Sequence, residues 1–317
     1  MKDETDNQKT PDKDETAEII NFPLPEDSRY LTFDLERANL RGRVIRLGSV
    51  LNQIIDPHAY PEKVAKLVAE TVTLSVLLSS MLKYEGIFIL QAQGEGPIHR
   101  LVSDVTSEGD ARGTGGFDAE ALEELLKTNP DPKIGDLIKN GYLAFTVDQG
   151  EYMERYQGIV ELRGSSLEES IHHYFDQSEQ IGTAIKMAVV KDENGNWRAG
   201  AVMLQHIPEH EKIPQDHKPI PENWNRARIL LETCTKEELI DPKLHDETLL
   251  YRLFHEEGVR VYSPQPIKKG CRCTPEKLQS ILALLSEDDR EHATVDGKIA
   301  MTCEFCNKNF DFDPKEI

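Results

Sequence analysis

The chain has 317 residues, enough for two domains or for one domain with appendages and a sizeable core. Its 57 acidic and 37 basic residues give a formal net charge of −20. That charge argues against a broad nucleic-acid-binding surface, because such binding draws most of its affinity from clustered Lys and Arg. No hydrophobic leader or Arg-rich transit segment is visible at the N-terminus, so we expect a cytoplasmic protein.

Residues 1–27 are rich in charge and poor in apolar side chains. They carry nine acidic and three basic residues, with almost no apolar periodicity to indicate a buried face. Such a segment cannot bury enough surface to offset the entropy lost on ordering. We therefore predict a disordered acidic tail over 1–27 and a core domain over 28–207.

Alternation marks the first strand of the core, and a long apolar stretch marks a helix. Leu31, Phe33 and Leu35 alternate with polar neighbours, which is typical of a strand with one buried face. The stretch 64–82 is strongly apolar, but Lys66 and Glu70 interrupt it. Its uncharged part is shorter than the roughly 20 residues that a bilayer requires. We predict a buried core helix there and no membrane partner.

Two turn sequences predict β-hairpins. The segment 94–97 separates one pair of apolar runs, and the segment 193–196 separates another. A phosphate-binding loop at 94–97 is the alternative, but neither a Lys-Ser/Thr pair nor a helix start follows it. The glycine run 113–116 is interpreted as a turn in the same way. The prediction is an α+β protein whose N-terminal α/β core contains a hairpin-rich sheet.

The region 208–262 is predicted to be a layer of short helices that links the core to the C-terminus. Four prolines in a polar stretch, at positions 208, 214, 219 and 221, end the compact core. Short helices are predicted at 224–233, 235–240 and 247–257, the last behind Asp246 and stopped by Gly258. Such helices are marginal alone in water, so they need another surface, and we expect the C-terminal module to support them.

Four of the five cysteines lie near the C-terminus in two close pairs. One residue separates Cys271 from Cys273, two residues separate Cys303 from Cys306, and 29 residues lie between the pairs. Two close thiol pairs can supply the four soft ligands that zinc prefers in a tetrahedron. We predict a zinc-binding module over 263–317, to whose slender core the metal would add on the order of 10 kcal/mol of folding free energy. The apolar residues expected in that core are Ile281, Leu282, Leu284, Leu285, Ile299, Phe305, Phe310 and Phe312.

The two pairs differ in the disulfides that they can form. A disulfide between Cys303 and Cys306 is ordinary for a C-x-x-C, whereas one between Cys271 and Cys273 closes a small, strained ring that is easily reduced. This difference favours a reversible redox sensor over a permanent structural disulfide. The alternative is a plain zinc site that only holds the fold, as in a constitutive adaptor whose acidic surface docks a basic partner. A thioredoxin-like oxidoreductase is disfavoured, because the expected strand-to-helix context is missing.

The remaining candidate residues indicate no enzyme. No Gly-x-Ser-x-Gly, Walker or Rossmann pattern occurs. His206 and His210 are four residues apart, but Pro208 between them prevents a helix from presenting both to a metal. Cys234 is expected to be a partly buried small apolar residue, with a fifth redox thiol as the alternative.

Several motifs, taken together, carry a family resemblance. They are the two cysteine pairs with their intervening residues, Tyr-Arg-Leu-Phe-His-Glu-Glu at 251–257, Glu-Arg-Tyr-Gln-Gly at 154–158 and Gln-Ala-Gln-Gly-Glu-Gly-Pro at 91–97. Together they resemble the bacterial heat shock protein 33 family of redox-regulated holdase chaperones. The resemblance runs from about Arg29 to Phe312, and all four cysteines match in order and spacing. The tail 1–27 lies outside it, and Cys234 departs from the four-cysteine pattern.

The resemblance implies a redox cycle. Reduced members bind one zinc ion through four thiolates, here Cys271, Cys273, Cys303 and Cys306, and are inactive. Peroxide with unfolding stress, or hypochlorous acid, releases the zinc and pairs Cys271 with Cys273 and Cys303 with Cys306. The linker region then loses its order, and the protein, typically as a homodimer, binds unfolded clients without ATP. Clients pass to an ATP-dependent foldase system when reductant returns.

Overall fold

The computed structural model describes residues 26–150, 155–176, 181–206 and 222–317. The predicted tail up to residue 25 and the four prolines of the linker lie outside these residues. The helices are α1 (Ser49–Ile55), α2 (Glu62–Ser79), α3 (Ala119–Thr128), α4 (Ile134–Ile138), α5 (Leu167–Tyr174), α6 (Glu222–Glu232), α7 (Lys236–Ile240), α8 (Asp246–Phe254), α9 (Pro275–Leu282) and α10 (Glu287–Ala293). The strands are β1 (Arg29–Leu35), β2 (Leu40–Leu47), β3 (Ile87–Gln93), β4 (Ile98–Thr106), β5 (Asp110–Phe117), β6 (Tyr142–Asp148), β7 (Tyr156–Glu161), β8 (Thr183–Lys191), β9 (Trp197–His206), β10 (Val259–Val261), β11 (Gln265–Pro266), β12 (Lys268–Lys269), β13 (Thr294–Val295), β14 (Lys298–Thr302) and β15 (Asn309–Phe312).

Two sheets with a helix between them form the body of this α+β fold. The first sheet has the order β10-β1-β2-β9-β8, with β11 also paired to β1, and the second has the order β12-β5-β4-β3-β6-β7. The buried helix predicted at 64–82 is confirmed as α2, which packs on strands of both sheets. No described helix combines the length and the hydrophobicity needed to span a bilayer.

The glycine run 113–116 corrects an expectation from the sequence, because it is part of strand β5 and not a turn. A Cβ on Gly113 would lie 2.6 Å from Val72 Cγ2, and one on Gly115 would lie 3.0 Å from Val68 Cγ2. These glycines let α2 approach the strand closely. The hairpins predicted at 94–97 and 193–196 are confirmed, since β3 pairs with β4 and β8 pairs with β9 in antiparallel register.

Helices α6, α7 and α8, which we call the linker helices, cover one face of the first sheet. Trp224 of α6 and Phe254 of α8 are buried in a cluster that includes Leu31 and Phe33 of β1. The Phe254 and Phe33 rings stack with their centroids 6.0 Å apart. The surface that these short helices require is therefore supplied by the first sheet.

Asp246 is the first residue of α8, whereas the sequence suggested a helix beginning behind it. Its side chain is only 3% exposed and accepts hydrogen bonds from Arg29 Nε at 2.9 Å and from Arg46 Nε at 3.1 Å. Arg46 also donates to the Glu238 carbonyl oxygen, at 2.8 Å, in the middle of α7. This group, the Arg29–Asp246–Arg46 triad, ties β1 and β2 to the linker helices.

Residues 259–270, which we call the strap, connect α8 to the first cysteine. Strands β10 and β11 of the strap pair with β1, and β12 pairs with β5. Beyond the strap, α9, α10 and the third sheet, β13-β14-β15, form the cysteine module, residues 271–317.

The core of the cysteine module is smaller than expected from the sequence. Leu282 and Ile299 are buried, but Ile281, Leu284 and Leu285 are 51%, 86% and 37% exposed. Ile281 lies in the last turn of α9, and Leu284 and Leu285 follow the helix, whose last residue is the buried Leu282. The fold of the module therefore depends little on apolar burial.

Candidate metal centre

The first cysteine pair lies in the short segment between β12 and α9. Thr274 follows Cys273 directly and caps α9, since its side chain accepts a hydrogen bond from the Lys277 N–H. Pro275 occupies the first turn, where its missing N–H costs no helical hydrogen bond. The helix start thus fixes the chain immediately after Cys271 and Cys273.

The second pair lies in a tight turn between β14 and β15. The Cys303 N–H donates to the Lys308 carbonyl at 2.9 Å, and the Asn307 N–H donates to the Cys303 carbonyl at 2.8 Å. Asn307 takes a positive φ of 57°, which Asn tolerates better than most residues. This turn folds Cys306 back beside Cys303.

The structure brings all four predicted cysteines into one cluster, whose Sγ atoms lie within 4.8 Å of one another. The Sγ–Sγ distances are 3.4 Å for Cys271–Cys273, 3.5 Å for Cys273–Cys306 and 3.7 Å for Cys271–Cys303. Thiolates bound at about 2.3 Å from one zinc ion stand about 3.8 Å apart along the edges of a tetrahedron. The cluster therefore fits one tetrahedral metal ion. These similar distances favour no particular pairing of the thiols.

Burial and mutual contact separate the pKa values of these thiols. Burial raises the pKa of Cys271, but hydrogen bonds from the Cys273 backbone and from the other thiols outweigh it and bring that pKa down to about 7. The pKa of Cys273 is raised by burial and by the neighbouring thiols, and burial also raises the pKa of Cys306. One thiolate thus forms readily, and deprotonation of a second thiol beside it is unfavourable. A divalent cation at the centre would compensate that charge.

The residues that stand between the cysteines contact the core. Arg272 forms an ion pair with Asp104 of β4, whose carboxylate also binds Arg112 Nε of β5 at 2.7 Å. The Arg112 Cζ atom lies 3.8 Å from the centroid of the Phe305 ring, a cation–π contact. The Phe305 carbonyl oxygen is 3.3 Å from His58 Nε2.

Two further contacts come from the second cysteine turn. Glu304 pairs with Arg100 of β4 at 2.8 Å, and Asn307 Nδ2 donates to the Pro57 carbonyl oxygen at 2.6 Å. Together with the contacts of Arg272 and Phe305, we call these the docking contacts. They were not predicted from the sequence, which offers no signal that joins residues so far apart in the chain.

Cys234 is not part of the cluster. It follows α6, the residue is 2% exposed, and burial raises the pKa of its thiol to about 11. A buried thiol that stays protonated is a poor nucleophile and a poor metal ligand. The burial predicted for Cys234 is confirmed.

The sequence is similar to known proteins along most of its length. Residues 28–313 match the family model described as Hsp33 protein. The 33 kDa chaperonin of Caulobacter vibrioides (strain NA1000 / CB15N) is 37% identical over 292 residues, which cover 91% of this chain and 95% of that protein. The 33 kDa chaperonin of Pseudomonas fluorescens (strain SBW25) is 34% identical over 296 residues, which cover 93% of each chain.

The fold also has a counterpart among solved structures. The crystal structure of the 33 kDa chaperonin (heat shock protein 33 homolog) from Thermotoga maritima matches with a TM-score of 0.73, covering 91% of this chain and 96% of the other. Its sequence identity is 23%, so this match bears on the fold alone. The family model and the identity to the bacterial relatives together show that the chain belongs to the Hsp33 family of chaperones.

Proposed function

We propose that this protein is a redox-regulated, ATP-independent holdase that is inactive while it is reduced and metal-loaded. The observation that supports this most directly is the contact of four free thiols in a chain of the Hsp33 family. Zinc is the proposed metal, bound once by Cys271, Cys273, Cys303 and Cys306, because an all-thiolate tetrahedral set suits it. When bound, zinc keeps the thiolates unprotonated and stabilises a module that buries few apolar residues.

The proposed activation is a two-electron oxidation of each thiol pair. Two thiolates lose two electrons and form one S–S bond, while the O–O bond of hydrogen peroxide breaks and yields two hydroxide ions. Thiolate is the reactive form, and cysteines that hold a metal ion are already deprotonated. Family resemblance supports pairing Cys271 with Cys273 and Cys303 with Cys306. The disulfides are no longer metal ligands, so the module releases the metal.

The proposed client surface lies beneath the linker helices. These helices bury Trp224, Leu231, Leu253 and Phe254 against the first sheet. Separation of the two layers would expose apolar side chains on both, and such patches bind unfolded chains. In this scheme 1–27 is the acidic tail, 28–207 the chaperone core, 208–262 the linker region and 263–317 the redox switch.

Several further features belong to the proposal. The partners are unfolded or partly folded clients, a second copy of the chain in an activated homodimer, and an ATP-dependent foldase that receives the clients. A cytoplasmic location suits the proposal, because a reducing compartment keeps thiolates free for metal. The net charge of −20 would help to keep client complexes dispersed.

Light scattering from an unfolding client tests the proposal. The full chain, reduced and loaded with zinc, is compared with the same protein after peroxide treatment at mildly elevated temperature, without ATP. We expect protection only from the oxidised protein, together with a loss of helicity in circular dichroism. A constitutive zinc adaptor would retain its helicity and protect the client in neither state, and that result would overturn the holdase assignment.

A further inference from the structure

We propose that Asp104 anchors an intramolecular clamp, through which the cysteine module holds the strap and, by way of the strap, the linker helices. The clamp consists of the docking contacts defined above. Its role in activation rests on the proposed redox function, whereas its existence can be tested in the reduced protein alone.

Asp104 is the centre of the clamp because two cations converge on its carboxylate. The side chain of Asp104 is 4% exposed, and it lies directly across the β4–β5 pair from Arg112. Arg272 reaches the same carboxylate from the cysteine module. The side chains of Arg112 and Arg272 are 19% and 25% exposed, so loss of the carboxylate would leave two largely desolvated cations unpaired.

The docking residues share their backbone with the metal ligands. Arg272 stands between Cys271 and Cys273, and Glu304 and Phe305 stand between the second pair. Any disulfide within the cluster shortens an Sγ–Sγ distance from 3.4–3.7 Å to about 2.05 Å. Release of the metal would also remove the link between the two segments that carry Arg272 and Phe305. A change in the state of the thiols therefore acts on the same short segments that hold the contacts to the core.

The strap adjoins the docked module on the second sheet. The Gly270 N–H, just before the first cysteine, donates to the Ala111 carbonyl at 2.9 Å, and the Lys268 N–H donates to the Gly109 carbonyl at 2.9 Å. Strand β12 contributes only two residues to this pairing. A strand of two residues forms few hydrogen bonds, so we expect the docked module beside it to stabilise this pairing.

The other end of the strap reaches the triad that holds the linker helices. The Ile267 N–H donates to the Ser28 carbonyl at 2.9 Å, and Pro266 lies opposite Arg29 in the β1–β11 pair. Arg29 in turn binds Asp246, the first residue of α8. Separation of the strap therefore removes neighbours from the residue that anchors α8.

This arrangement explains how the module can support helices that lie on a different sheet. The docking contacts end on β4, on β5 and at 57–58, whereas the linker helices pack on the first sheet. The support expected from the sequence is thus transmitted along the strap between the two sheets.

Hydrogen exchange of the reduced, zinc-loaded full chain tests the clamp with Asp104→Asn. We expect amide exchange at 265–270 to accelerate at least about tenfold, since a buried carboxylate that pairs two arginines is lost. Exchange within α2 and the zinc content should stay unchanged. Asp311→Asn is the matched control, because Asp311 is 56% exposed and pairs with Lys298 inside the module. Unchanged exchange of the strap in Asp104→Asn would overturn the proposal.

A second variant decides the matter if Asp104→Asn also accelerates exchange in α2. Asn307→Gly removes the hydrogen bond to Pro57 and keeps the positive φ that this turn requires. We expect it to accelerate strap exchange about threefold, which corresponds to a surface hydrogen bond, and to leave α2 unchanged. No acceleration would refute the clamp. If peroxide fails to activate the wild type while the strap responds as expected, the proposed function fails and the clamp stands.

Discussion

Replacing Asp246 by Asn should open the linker helices without any oxidant. The side chains of Arg29, Arg46 and Asp246 are 8%, 7% and 3% exposed, so the triad is shielded from solvent. Removing one partner of a buried ion pair costs about 3–5 kcal/mol, and Asn retains one acceptor oxygen, so we expect a loss of about 2–4 kcal/mol. The lost free energy is that which holds α8 against the first sheet. The equilibrium constant for separation of α8 from the sheet should therefore rise roughly 30- to 900-fold.

Hydrogen exchange measured by mass spectrometry provides the assay for Asp246→Asn. Amides of α8 in the reduced, zinc-loaded protein should lose protection by that factor, and the variant should hold an unfolding client without peroxide. Glu232→Gln is the matched control, because the Glu232–Lys186 pair joins the same two layers but is 56% and 28% exposed. Glu232→Gln should change the free energy of opening of this layer by no more than about 0.5 kcal/mol. Equal protection of α8 in Asp246→Asn and wild type would refute the idea that the triad holds this layer closed.

Three further predictions concern the rest of the chain. Burial raises the pKa of Glu168 to about 7 from its ordinary 4.5, with Glu70 adding to the rise and Lys186 opposing it. The folded state therefore holds this proton more tightly than the unfolded state, so folding stability should fall as pH rises from about 4.5 to 7. In urea unfolding, Glu168→Gln should therefore be more stable than wild type by roughly 1–3 kcal/mol at pH 8 and by little at pH 4.5. An equal stability difference at both pH values would contradict the raised pKa. Deletion of residues 1–25 should leave zinc content and client holding intact. A longer deletion through Asp27 also removes the carboxylate that binds Ser49 N–H at 2.9 Å, so it should lower the melting temperature. Loss of zinc in the shorter deletion would show that the tail docks on the rest of the protein. Gly113→Ala should cost about 1–3 kcal/mol by forcing α2 away from β5, and an unchanged melting temperature would show that the helix moves freely.

Local patterns predicted much of this fold because the features concerned are local. The hairpin of β8 and β9 follows from alternating apolar residues around an Asn-Gly turn. The clustering of the four cysteines follows from their spacing, since a C-x-C and a C-x-x-C are typical of paired soft metal ligands. The glycine run 113–116 was misjudged because glycines that form a turn and glycines that lie beneath a helix have the same local sequence.

The features that could not be predicted from the sequence depend on contacts between distant parts of the chain. Asp246 binds Arg29 and Arg46 from 217 and 200 residues away, and Arg272 binds Asp104 from 168 residues away. No periodicity joins such residues, and each is an ordinary charge in its own segment. The exposure of Ile281, Leu284 and Leu285 was missed for a related reason, since only the fold shows that α9 packs on one narrow side.

Simultaneous recording of metal release and client protection tests the central claim most directly. Zinc release is followed with a chromophoric chelator while peroxide is added to the reduced protein at mildly elevated temperature, and light scattering of an unfolding client is read in the same sample. We predict that release of one zinc ion per chain and protection of the client appear together and that dithiothreitol with added zinc reverses both. Zinc that stays bound, or zinc that leaves without any protection, would contradict the redox switch and leave Cys271, Cys273, Cys303 and Cys306 as a structural metal site.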